Sequence, residues 1–195
     1  MVGDGSLTYV AQYQGYDGPW ELPEDLQHQS GWLKFAEPLD FATLNLSLSG
    51  YHATWKPTEQ IPERVIGSSV CEDAFCSLDP TAVGETTRWI ATARLLGQGW
   101  KATLYGQYYD WHMLSDSTYD NQVNQLDRRW IAGGRYEREW LIGTAAALTA
   151  GTEFRYDDIG RVGLQHTDRG QFVEWVGVHA VKEGSVSAYA EGHWN

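Results

Sequence analysis

Apolar and polar positions alternate one by one along much of the chain. Between positions 41 and 55, Leu44, Leu46 and Leu48 fall on one side and Thr43, Asn45, Ser47 and Ser49 on the other. Side chains of a strand point alternately to its two faces, whereas a helical stripe recurs about every 3.6 residues, so this spacing predicts an amphipathic β-strand. From 101 to 111, Ala102, Leu104, Gly106 and Tyr108 oppose Lys101, Thr103, Tyr105 and Gln107. From 147 to 157, Leu148, Ala150, Thr152, Phe154 and Tyr156 oppose Thr149, Glu153, Arg155 and Asp157. Val186, Ala188, Ala190 and Trp194 oppose Ser185, Ser187, Glu191 and His193, and Leu7, Tyr9, Ala11 and Tyr13 begin the same pattern. Strands are expected at 7–14, 31–35, 41–55, 88–96, 100–111, 130–140, 144–157 and 184–194. Many of these run about ten residues, the reach of a tilted strand across a bilayer, where strands of globular proteins run ~5–6.

The connections alternate as well. Gly97-Gln98-Gly99 and Glu37-Pro38-Leu39-Asp40 read as tight turns, while 15–30, 56–87, 113–128 and 159–182 read as long loops. Long loops on every second connection are the pattern of outer-membrane barrels, with short periplasmic turns and long extracellular loops. The expected fold is all-β: an antiparallel transmembrane meander of about eight strands, part of a larger barrel. Leu44, Leu46, Leu48, Ala102, Leu104, Leu148, Ala150, Val186 and Ala188 are expected on its lipid side.

Composition sharpens this picture. Ten Trp and eleven Tyr outnumber five Phe and two Met, and Trp and Tyr suit a boundary between apolar medium and water. They fall near strand ends, at Tyr13, Trp32, Tyr51, Trp55, Trp89, Trp100, Tyr108, Trp111, Trp130, Trp140, Tyr156 and Trp194, as in an interfacial girdle. The competing reading is a soluble carbohydrate-binding sandwich that stacks aromatics on sugars. A net charge of −12 argues against nucleic acid as a partner. No apolar run approaches the ~20 residues of a transmembrane helix, which leaves barrel strands untouched. The start of the chain lacks signal-peptide character, so a piece of a longer protein is expected.

Chemistry-bearing patterns are sparse. Catalytic motifs and phosphate-cradling loops are absent, and the chain reads as a non-enzyme without a cofactor. The six His residues show no ligand spacing. Asp116, Asp120 and Asp127 are placed on one loop, and Glu72 with Asp73 on another, as solvated carboxylates with calcium as the minor alternative. Cys71 and Cys76 in Cys-Glu-Asp-Ala-Phe-Cys are a loop-closing disulfide candidate.

The segment after Trp55 is more specific. Gln60-Ile61-Pro62-Glu63-Arg64, then Leu78-Asp79-Pro80-Thr81, then Gly84 and Thr86-Thr87-Arg88 resemble a long extracellular loop of TonB-dependent outer-membrane receptors. Gly18-Pro19-Trp20 resembles the preceding loop, Asp127-Arg128-Arg129 a later strand opening, and Arg155-Tyr156-Asp157-Asp158 with Gly163-Leu164-Gln165-His166-Thr167 a strand and loop further on. The resemblance implies that residues 1–195 are part of the receptor barrel, which in that family has about 22 strands around a plug. This chain has neither that length nor a plug. The implied location is the Gram-negative outer membrane. The implied partners are membrane lipid, the plug domain with the remaining barrel strands, TonB acting through the plug, and a small-molecule substrate such as a ferric siderophore or other metal chelate. Trp20, Trp55, Arg64 and Asp79 are the substrate-contacting loop candidates. A small complete barrel or porin stays open as an alternative.

Overall fold

The structure, a computed structural model, describes residues 4–194. Among them the chain forms eight strands: β1 (Ser6–Tyr16), β2 (Leu26–Leu39), β3 (Ala42–Trp55), β4 (Val83–Gly97), β5 (Trp100–Ser115), β6 (Gln122–Ile142), β7 (Ala146–Asp168) and β8 (Gln171–Trp194). One 3-10 turn, Glu63–Val65, lies between β3 and β4. The strands make a single sheet in chain order, and every neighbour pair is antiparallel. Among the described residues β1 and β8 do not pair, so the sheet is open and these two are its edges.

Strand register sorts the side chains. Cross-strand partners share a face, so one row runs Leu7, Phe35, Leu46, Ala93, Leu104, Gly134, Phe154, Val186. The next runs Tyr9, Leu33, Leu48, Ala91, Gly106, Ala132, Tyr156, Gly184. Neither row carries a charge. Toward the loops they are bordered by Trp89, Tyr108 and Trp130, with the Tyr108 and Trp130 rings 4.7 Å apart. Toward the tight turns lie Trp100, Trp140 and Trp194. Charged residues gather at or beyond these borders, as in the 2.7 Å Arg128–Asp110 and 3.6 Å Lys182–Asp158 pairs, and on the turn side two stand inside them, Glu37 opposite Leu44 and Arg138 opposite Trp100. The nine residues expected on one side do share this face, and none is buried.

The opposite face is polar. It carries Lys101 paired with Glu137 at 3.0 Å, Arg135 with Glu137 at 2.8 Å, and Arg155 with Asp157 at 2.7 Å. Four aromatics placed in the girdle by sequence, Trp32, Tyr51, Trp55 and Trp111, fall here instead. They lie opposite Ser49, Arg88, Gly84 and Asp127 respectively. Alternation decides the face of a residue, and proximity to a strand end does not.

Among the described residues no second layer covers either face. The buried apolar residues among those described are Ala42, Ala53, Cys71, Cys76, Ala82, Leu126 and Ile131, too few for a core. The accessible surface is 13051 Å², against roughly 9,300 Å² for a compact monomer of this mass by the surface scaling. A sheet sandwich would bury one face of each sheet. This sheet is held by its ladder of backbone hydrogen bonds and by side chains lying across neighbouring strands. At Gly50 an added Cβ would come within 2.3 Å of the Trp89 ring; the indole lies flat on the glycine of the adjacent strand.

The expected loop at 159–182 is not a loop. β7 and β8 continue through it as a hairpin closed by Arg169-Gly170, at φ 47° and 80°. Left-handed conformations at both positions match the right-handed twist of the flanking strands. Register shifts at Ile159/Val162, Leu164/Gln165 and His166/Thr167 break the alternation, which is why the segment reads as irregular. The expected loops at 15–30 and 113–128 are likewise shortened by β2 and by the two ends of β5 and β6. β2 also runs through Pro38 to Leu39, leaving only Asp40-Phe41 as the turn. Asp127 is therefore a strand residue, ion-paired with Arg129.

Candidate functional site

The long β3–β4 connection, residues 56–82, is tied down at many points. Its inner half is closed on itself: Cys71 and Cys76 form a disulfide, and Gly67 N and Ser68 N donate to Cys71 O at 2.8 and 3.1 Å. The short separation of the two cysteines makes this a staple of the loop rather than of the sheet.

Neighbouring connections brace it from both sides. From the β1–β2 side, Glu21 N donates to Phe75 O at 2.9 Å, and the Trp20 and Phe75 rings lie 5.7 Å apart. Lys56 is ion-paired with Asp25. From the β5–β6 side, Tyr119 Oη donates to Gln60 O at 2.7 Å and Asp116 N to Glu59 Oε1 at 3.0 Å. Asp79 ties the loop to itself and to β6. Its Oδ1 accepts from Thr81 N at 2.8 Å, and its Oδ2 accepts from Gln122 Nε2 at 2.7 Å.

Gln122 is the hub of this rim, and nothing in its sequence context marks it. Only 4% of it is exposed. Its Nε2 donates to Asp79 Oδ2 and Thr81 Oγ1, and its Oε1 accepts from Thr167 Oγ1 at 2.8 Å and Gly170 N at 2.7 Å. A buried amide with every atom engaged fixes the relative positions of three connections. A lone glutamine at the start of a strand gives no sequence signal; Tyr119 is equally anonymous.

Two hollows result. One of about 250 Å³ lies among Trp20, Leu22, Ile61, Ile66 and Tyr119 and is mostly apolar. The other, about 670 Å³, has Asp79, Asp116, Asp120, Asp168 and Glu174 on its walls, with Arg169 among them. Burial, and next the neighbouring Asp79 carboxylate, push the Asp116 carboxyl above its ordinary range. Burial and then Glu59 raise the Tyr119 phenol. Among the described residues no group of three or more His, Cys, Asp or Glu side chains is arranged to hold a metal ion.

The four residues singled out by sequence separate. Trp20 lines the apolar hollow and Asp79 the acidic one, where its hydrogen bonds make it a brace. Trp55 ends β3 with its indole over Gly84, where an added Cβ would come within 2.3 Å of the ring. Arg64 sits exposed on the 3-10 turn. The arrangement is a rigid rim suited to recognition by shape, hydrogen bonding and charge. No family model, no curated protein and no solved structure matches the chain.

Proposed function

We propose that the chain is a wall segment of a TonB-dependent receptor in the Gram-negative outer membrane, taking up a scarce nutrient such as a ferric siderophore or another metal chelate. The observation that carries this reading is the broad apolar band on one face of a single-layer sheet, where charge appears only near its borders, as at Glu37 and Arg138. Water on both sides would leave that face without a partner, and soluble monomers rarely expose so large an apolar patch. Hydrocarbon supplies one. Trp130 and Trp140 on β6 lie ten residues apart, ~33 Å along a strand and ~25 Å once tilted by ~40°, the height of a barrel's apolar band.

The polar face then looks into a wet lumen filled by the plug, and the braced rim faces outward to meet substrate. TonB acts through the plug, which moves to release the substrate inward. The open sheet favours a segment of a larger barrel over a small closed one, because edges at β1 and β8 must be paired, by the rest of the barrel or, in the isolated chain, by a second copy, when they face lipid. The ordered motif set from Trp20 to Thr167 supports this particular family.

Growth under iron limitation tests the reading. A strain lacking the full gene should lose growth on one ferric chelate and regain it on complementation, and normal growth on every chelate supplied would count against the proposal. The isolated chain in liposomes should show no energised accumulation of that chelate.

A further inference from the structure

The cations of the polar face are unevenly served. On β6–β8, Arg129, Arg135 and Arg155 each have a carboxylate partner on that face. On β1–β5 the polar-face positions include Lys34, Arg88, Arg94 and Lys101 and not one carboxylate. Of these, Lys101 reaches across to Glu137. Arg88 has no carboxylate: its Nη2 donates to the neutral Gln107 Oε1 at 3.1 Å, and its guanidinium stands 6.0 Å from the Tyr109 ring centre. Its Nε is buried without a hydrogen-bond partner. Although the chain has a net charge of −12, no ion pair is found among the described residues for Lys34, Arg88, Arg94 or Arg161, and Arg88 shares with Arg161 a buried, unbonded Nε. A guanidinium without a counter-ion gains a charge-assisted hydrogen bond when an anion reaches its terminal nitrogens.

The space beside it is shaped for such an acceptor. A niche of about 360 Å³ opens among Arg88, His28, Ser30, Trp32, Ser49 and Tyr51. Trp32 and Tyr51 supply flat apolar surface, and the two serine hydroxyls and His28 supply polar contacts. A guanidinium presents a planar fork that matches the two oxygens of a carboxylate, which makes arginine better suited than lysine to this task. We propose that this niche is a binding site for a small carboxylate carried on a planar apolar body. The site lies midway along β2–β4, away from the loop hollows, so it takes ligand at a different point from the outer rim. This assignment rests on the reading of the polar face as water-facing.

Benzoate is the probe, with benzyl alcohol as its uncharged counterpart. The full chain is refolded in detergent micelles and titrated with labelled probe by equilibrium dialysis, and protease protection of the strands in vesicles is measured on the same preparation. Saturable benzoate binding is expected, at least ~10-fold tighter than benzyl alcohol, as fits one charge-assisted contact. Arg88→Gln should weaken benzoate by at least ~10-fold, Arg88→Lys should retain part of it, and Arg94→Gln on the same face should leave it unchanged. Equal binding of benzyl alcohol would overturn the proposal by making the niche merely apolar. An equal loss in Arg94→Gln would overturn it in favour of a diffuse positive field. Capture of a Glu-bearing hexapeptide with no benzoate binding would overturn it in favour of a contact for a protein segment. Protected strands without benzoate binding refute this site alone, whereas unprotected strands refute the membrane reading beneath it.

Discussion

Gln122 shows how much of the rim depends on one side chain. Removing its amide breaks bonds to Asp79, Thr81, Thr167 and Gly170, each worth ~0.5–1.5 kcal/mol net. Gln122→Ala should therefore loosen the rim by about 2–4 kcal/mol, read as faster hydrogen exchange at the Gly170 amide with the β2–β3 amides unchanged. Gly50 is a second such point, because the Trp89 ring occupies the space its Cβ would need. Gly50→Val should displace the indole and cost about 1–3 kcal/mol in detergent-supported unfolding, while Gly50→Val with Trp89→Ala should recover part of the loss. Asp116 gives the rim a pH dependence of known sign. Its folded-state carboxyl titrates above its ordinary value of 3.8, so its contribution is fullest below that value and is lost as pH rises through the raised one. Exchange in residues 56–82, corrected for intrinsic rates, should be slowest at acidic pH, and Asp116→Asn should remove this residue's share of the dependence.

At the scale of elements, a strand's two faces make opposite demands. Leu104 and Thr103 are adjacent on β5 and point to opposite sides. Leu104→Arg should destabilise the vesicle-inserted chain by ~2–4 kcal/mol, and Thr103→Arg by much less, because on the proposed membrane reading only the first puts charge in hydrocarbon. Equal effects in urea-titrated folding would refute the lipid assignment of the Leu104 face. These faces were legible in the sequence wherever alternation is unbroken, from Leu44 to Leu48 and from Ala102 to Tyr108. The upper β7–β8 hairpin was not legible, because its three register shifts interleave the faces and its Gly and Asp content imitates a loop. The candidate site was legible only in outline: Trp20 and Asp79 do line hollows, yet Asp79 braces, Trp55 packs on Gly84, and the Gln122 hub carries no local signature. Hydrogen-bond networks join residues far apart in the chain, and periodicity records only near neighbours.

For the molecule as a whole, the absence of a second layer means that stability depends on surroundings rather than on a core. The accessible area of 13051 Å² includes an apolar face that water penalises, so the chain should fold in micelles or vesicles and aggregate in buffer at equal concentration, as light scattering would report. The edges add to that tendency, since β1 and β8 present unpaired backbone groups along 11 and 24 residues. Pairing that joins only chain neighbours has a further consequence, in time rather than in space. Each strand finds its partner in the one laid down just before it, so no segment has to wait for a distant one or thread past it. The sheet can be built in the order in which the polypeptide is delivered, one hairpin after another, with the newest strand always serving as the template for the next.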